Sequence, residues 1–157
     1  MTDKMKTKNI LLLLFLCCTS ICFAQNKLFD KYSEMDNVTS VFISKAMFQM
    51  MPNFETNGLN LMNLKGKIEG LQILTTENNN IKETMRNDFK NLIGKDHEEL
   101  MKVKDGKTRA TFYVKQKGDL ISELIMLADT DKSFNVIRLS GNFTLQDIQE
   151  ITKEMNK

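Results

Sequence analysis

Apolar positions change their spacing along this chain, and each change marks a different kind of backbone. Ile81, Met85, Phe89, Leu92 and Ile93 recur at helical spacing and predict an amphipathic helix. Asn80, with Glu83 three residues on, resembles a capping pair at its start, and Gly94 stands where a C-terminal cap belongs. From Glu98 to Ser140 the period shortens to two, broken by turn signals at Asp105-Gly106, Lys117-Gly118 and Asp129 to Lys132, which predicts a four-strand meander. Thr144 then opens a final helix lined by Leu145, Ile148, Ile151 and Met155.

The first half of the chain is patterned less regularly. A short helix is expected over Asn26 to Met35 and a β-branched strand over Val38 to Ile43. Ser44 is placed to cap a helix carrying Ala46, Met47, Met50 and Met51, which Pro52 helps to end. A loop from Asn53 to Asn60, a helical turn near Asn60 to Lys65 and a strand around Ile68 to Thr75 follow. With one proline, no repeat and no linker, the pattern describes a single α+β domain, its helices packed on a mainly antiparallel sheet that ends in the meander and a C-terminal helix. Met47, Met50, Met51 and Met62 fit a core stripe against that sheet; the competing reading is an adaptable apolar surface for a partner or lipid.

The hairpins can be followed residue by residue. A two-residue Asp105-Gly106 turn pairs Lys104 with Lys107 and places Met101, Val103, Ala110, Phe112 and Val114 on one face. The other face receives Lys102, Lys104, Lys107, Arg109, Thr111, Tyr113 and Lys115, with Lys102 opposite Arg109. At the next turn a three-residue loop, Gln116 to Gly118, puts Leu120, Ser122, Leu124 and Met126 on the apolar face and Glu123 on the basic one, with Gly118 left-handed. A two-residue turn would bury the Glu123 carboxylate beside Phe112, which is far costlier than burying a hydroxyl.

The start of the chain reads as an address. Lys4, Lys6 and Lys8 precede an apolar run from Ile10 to Phe23 that ends in the small residue Ala24, the pattern of a secretory signal cleaved after Ala24. The run, about 14 residues, is shorter than the ~20 a membrane-spanning helix needs. Leu16, Cys17 and Ile21 precede the three cysteines where a lipoprotein signal wants a small residue, so a lipid anchor is the lesser alternative. Residues 1–24 are therefore expected to be signal peptide and 25–157 the domain, exported to the periplasm or cell envelope. Removal of the leader takes all three cysteines, leaving no thiol chemistry and no disulfide, and lowers the formal net charge from +2 to zero. That balance argues against a nucleic-acid partner held by phosphate neutralisation.

Few chemistries find their residues. His97 is the only histidine; its neighbours Asp96, Glu98 and Glu99 are oxygen donors, but in extended backbone Asp96 and Glu98 face away from His97 and Glu99, so a solvated acidic turn is expected and no metal. No G-x-S-x-G elbow, G-x-G-x-x-G or Walker loop occurs, so no catalytic residue or cofactor is assigned. The candidate interaction face is the basic side of the hairpins: Lys102, Lys104, Arg109, Tyr113 and Lys115, with Glu123 nearby. It suits an acidic protein segment or an anionic envelope component; the plainer reading is a solvated strand whose lysines discourage edge aggregation.

The run Val38 to Met47, the segment Leu100 to Gly106, Ile121 to Met126, and Leu139-Ser-Gly141 followed by Leu145 to Ile148 together resemble the bacterial family called domain of unknown function 4252. The resemblance spans roughly Leu28 to Ile151, rests on strands and turns, and implies a small exported protein without assigned activity. The expected role is a non-enzymatic interaction or sensing module of the envelope. The alternatives are a hydrolase built from remote acids, or a metal, with His97, and a lipid-anchored membrane-surface protein. Intact-mass measurement of the chain recovered from its own cells should give an N-terminus at Gln25; a cysteine-initiated, acylated product would establish the anchor instead.

Overall fold

The computed structural model describes residues 20–50, 55–56, 59–60, 64, 66–94 and 96–153. Most of the expected leader, Met51, Pro52, Met62, Met155 and much of the expected 53–65 loop and turn lie outside them. The elements run α1 (Ser20–Ser33), β1 (Thr39–Ser44), α2 (Lys45–Met50), β2 (Glu55–Thr56), β3 (Leu59–Asn60), β4 (Ile68–Thr76), α3 (Asn79–Ile93), β5 (Glu98–Asp105), β6 (Thr108–Lys117), β7 (Leu120–Asp129), β8 (Phe134–Phe143) and α4 (Leu145–Lys153). Six strands form one antiparallel sheet in the order β1-β4-β8-β7-β6-β5, and β2 pairs with β3 in a separate two-residue ribbon. The α+β class, the meander and the C-terminal helix are as the patterning predicts. Among the described residues no helix is long and apolar enough to cross a membrane.

Strands β7 and β8 are apolar on both sides, which only a sheet covered on both faces accommodates. On one face Phe48, Leu71, Phe112, Leu124, Leu139 and Phe143 form a core closed by Ile148 of α4. On the other, Ile125, Leu127, Phe134 and Val136 meet Met85, Phe89 and Ile93 of α3 and Phe29 and Tyr32 of α1. Phe29 meets Phe89 edge-on, centroids 5.0 Å apart at 73°, a geometry worth about 0.5–1.5 kcal/mol beyond the area it buries. Tyr32 donates its hydroxyl to Asp88 Oδ2 at 2.8 Å and Lys31 reaches the same oxygen at 2.9 Å, pinning α1 to α3. Burial, and then the Asp88 carboxylate, hold the Tyr32 proton on well above the usual phenol range.

Helix α1 begins earlier than expected and crosses the expected cleavage point, but Asn26, Phe29 and Tyr32, which anchor it, lie beyond Ala24. Asn78, not Asn80, caps α3, accepting from the Asn80 and Ile81 amides at 3.1 and 3.2 Å. Three consecutive asparagines offer three frames, and the chosen one puts Ile81, Met85 and Phe89 toward the sheet. Ser44 caps α2 as expected, its Oγ accepting from the Met47 amide at 3.4 Å. The methionine stripe does not become core where it is described: Met50 is 73% exposed and Met47 is exposed too, while Phe48 between them is buried. One side of a helix of six residues faces the sheet, and the larger aromatic occupies it.

The first hairpin turns through Gly106 and Lys107, so Lys104 lies opposite Arg109, and Lys102 opposite Thr111 instead of Arg109. Gly106 has φ +56°, the position a type II′ turn reserves for glycine. The Asp105-Gly106 alternative needs left-handed backbone at aspartate as well. Each residue moves along by one pair, which leaves its face unchanged, so the predicted apolar and basic faces stand. The second turn is also two residues, Gly118-Asp119, with Gly118 left-handed as expected at φ +64°. The pairing then slips between Lys115 and Gln116: Ser122 is the extra residue and Ile121, not Leu120, enters the core. Beyond the bulge, Leu124 and Met126 share the face of Phe112, and Glu123 takes the opposite face, as predicted.

Thr144 and Asp147 cap α4 reciprocally: the Asp147 amide donates to Thr144 Oγ1 at 3.3 Å and the Thr144 amide to Asp147 Oδ2 at 2.7 Å. Lys67 binds the same carboxylate at 2.7 Å. Gly141 lies close by, opposite Ile68, where a Cβ would collide with the Lys67 carbonyl and the Phe143 ring. Gly141→Ala should therefore cost roughly 1–3 kcal/mol by overpacking. Gly66→Ala, with nothing within 4 Å of a Cβ, should stay within ~0.5 kcal/mol. Urea midpoints of the two variants check the contrast.

Candidate functional site

The face under α1 and α3 carries two polar arrangements, one sealed and one open. The sealed one centres on Arg138 of β8. Its Nε donates to Glu123 Oε1 of β7, and its Nη1 donates to Gln72 Oε1 of β4 and Asn26 Oδ1 of α1, each at 3.0 Å. The guanidinium also lies over the Phe29 ring, 5.2 Å from its centroid. The other Glu123 oxygen accepts from His97 Nε2 at 2.6 Å.

Glu123 is thus on the predicted basic face but buried, at 4% exposure, so it is no part of an open interaction face. Helices α1 and α3 roof the face there, and the carboxylate is tolerated because two partners meet it. Burial alone would raise its pKa; the His97 hydrogen bond and the Arg138 charge outweigh it and hold the carboxyl below the usual glutamate range. Asp96, Glu98 and Glu99 are exposed, as the solvated acidic turn requires, but His97 departs from it: its side chain is 1% exposed. Nothing near it in sequence signals this, because its partner is 26 residues away.

The open arrangement is a groove of about 500 Å³ between α3 and the β5–β6 hairpin. Lys102, Lys104, Arg109 and Tyr113, four of the predicted face residues, line it. Lys115 does not; it lies opposite Glu123 across the β6–β7 pair. Sequence reasoning missed the other wall, Arg86 and Lys90. Their spacing of four residues puts both on one side of α3, but only the fold brings that side to the hairpin.

The floor is apolar, formed by Leu127 and Phe134 with the Tyr113 ring. Five cations line this groove against one acid, Asp129. That acid is already held by Arg86 at 2.7 Å and Lys82 at 3.2 Å. Among the described residues no carboxylate comes within ion-pair range of Lys90, Lys104 or Arg109. Arg86 Nε is buried without an acceptor among those residues. Lys104 opposite Arg109 is a like-charge pair, unfavourable unless solvated or bridged by an anion. A second hollow of about 400 Å³ continues the groove past Lys104 and Arg109 toward Lys107 and Gly106. Among the described residues no three His, Cys, Asp or Glu side chains cluster to hold a metal ion.

The sealed network makes a prediction with a definite sign. Because the Glu123 pKa is lower folded than unfolded, its stabilisation is present above the ordinary glutamate pKa and is lost as pH falls through the folded value. Glu123→Gln should cost about 3 kcal/mol near neutral pH by leaving Arg138 without its anion. It should also flatten the fall of stability below about pH 4.5, the value from which the Glu123 pKa is lowered; urea titrations from pH 3 to 7 check both.

The sequence over residues 32–151 matches a family model described as Domain of unknown function (DUF4252). No curated protein shows a significant match to the chain. The family match takes in every strand of the six-stranded sheet, the Glu123–Arg138 pair and the groove, and on its extent the chain belongs to the DUF4252 family.

Proposed function

We propose that this chain is an exported protein of the cell envelope that acts by contact and not by turnover, holding an acidic partner in the groove between α3 and the β5–β6 hairpin. The single observation that carries the reading is the lining itself: cations from a helix and two strands converge over an apolar floor, and the acid among them is already paired. Edge protection would explain lysines on β5, the outermost strand. It does not explain Arg109 on the inner strand β6, or Arg86 and Lys90 on the helix opposite. The leader-like start, Lys4 to Ala24, supports export and a soluble envelope location after cleavage.

The hydrolase alternative draws no support from His97, whose side chain is enclosed and bound to Glu123. A membrane-surface role draws on Val41, Phe42, Met47 and Met50, exposed around the β1 edge. The pleat sends Val41 and Phe42 to opposite faces, so they do not make one apolar plane.

A fluorescein-labelled polyglutamate peptide tests the contact reading. Its anisotropy-measured affinity should fall with added salt. It should also fall more than about tenfold in the double variant Lys104→Glu/Arg109→Glu, since like charges then face the probe. Lys45→Glu, at the opposite edge of the sheet, should leave it unchanged. Equal affinity across all three proteins would overturn the reading.

A further inference from the structure

The groove's shape narrows the kind of acidic partner, on the premise that the groove is an anion site. Helix α1 packs on β1 and β4, and α3 beside it covers β7 and β8. The sheet continues past α3 for two more strands, β6 and β5. At about 4.8 Å per strand that leaves a shelf ~10 Å wide, the diameter of one helix with its side chains. One margin carries Arg86 and Lys90 of α3 and the other Lys102 and Lys104 of β5. Between them β6 presents Arg109, Thr111 and Tyr113 in one row, the Tyr113 ring half-buried against the core beneath α3.

An extended acidic strand would not use these margins. It would add to the edge of β5, where backbone groups are free, and would leave the face of the sheet uncovered. A small anion would need one focus of charge, whereas these cations are spread over α3, β6 and β5. From the width and the two charged margins we infer that the occupant is an acidic amphipathic helix of another polypeptide. It lies beside α3 as the third helix of the layer, its apolar stripe on Tyr113 and its carboxylates toward Arg86 and Lys90 on one flank and Lys102, Lys104 and Arg109 on the other.

A selection from random 16-residue peptides displayed on phage tests this, using the chain purified after expression with its own leader. Selected peptides are then measured against the Lys104→Glu/Arg109→Glu variant, whose circular dichroism and melting should match the parent because both side chains are exposed. The expected survivors are acidic, carry apolar residues at i, i+3, i+4 and i+7, gain helicity on binding, and bind the variant more than about tenfold more weakly. Acidic survivors without helical spacing or induced helicity would overturn the helix while leaving the anion groove in place. Survivors that bind parent and variant alike, or none at all, would overturn both.

Discussion

The Arg138 guanidinium stands on β8, near the middle of the sheet where both faces are covered, and the remainder of the fold accommodates it. Arg138 left without an anion there would cost several kcal/mol. Glu123 supplies the charge from the neighbouring strand, and the arginine's other contacts draw in Gln72 of β4, Asn26 of α1 and the Phe29 ring. The second oxygen of Glu123 takes His97 and so fixes the entry to β5. Five segments far apart in the chain thus converge on one pair of charges. An apolar core tolerates small slips of register; this network does not, because a one-residue shift of β7 would turn Glu123 to the other face and strand the arginine.

The position of α1 follows from that network, and the open groove follows from α1. With α1 held over β4 by Asn26 and Phe29, α3 can pack only beside it, over β8 and β7. The outer strands then have no roof on that side. Uncovered strand faces must be polar to stay soluble, yet polar need not mean basic. β5 carries acids too, Glu99 pairing with Lys102, but at the groove Lys104 stands opposite Arg109 and the helix wall adds further cations. Repulsion of this kind lowers stability slightly when the groove is empty and is relieved when an anion enters, which is a reason to find it at a binding surface.

How much of this could be read beforehand depends on the range of the cause. The two faces of the first hairpin were legible because alternation is local and survives a shift of one pair; the pairing itself was not, because Gly106 serves either turn and only its backbone angle selects one. The bulge at Ser122 left no mark in the pattern, since a slip of one residue exchanges Leu120 for Ile121 and both are apolar. Four groove residues, Lys102, Lys104, Arg109 and Tyr113, came from alternation alone. Arg86 and Lys90 needed the packing of α3, and the burial of Glu123 needed Arg138, 15 residues away. Met50 misled because apolar spacing on a helix of six residues does not say which side meets the sheet.

The two polar arrangements also separate stability from the proposed contact. Glu123, Asp147 and Asp88 each hold a pKa below its ordinary value, and each is matched to a cation or donor from a distant segment. These carboxylates therefore stabilise the fold at neutral pH and cease to do so in acid. The lysines and arginines of the groove, Arg86 and Lys102 apart, meet no carboxylate among the described residues. Reversing Lys104 and Arg109 would change the proposed contact while leaving untouched the pairs that hold the sheet and its helices together. A surface whose charge is set independently of the core can change to suit a partner at little cost to folding, and here that independence rests on keeping Glu123 inside and the cations out.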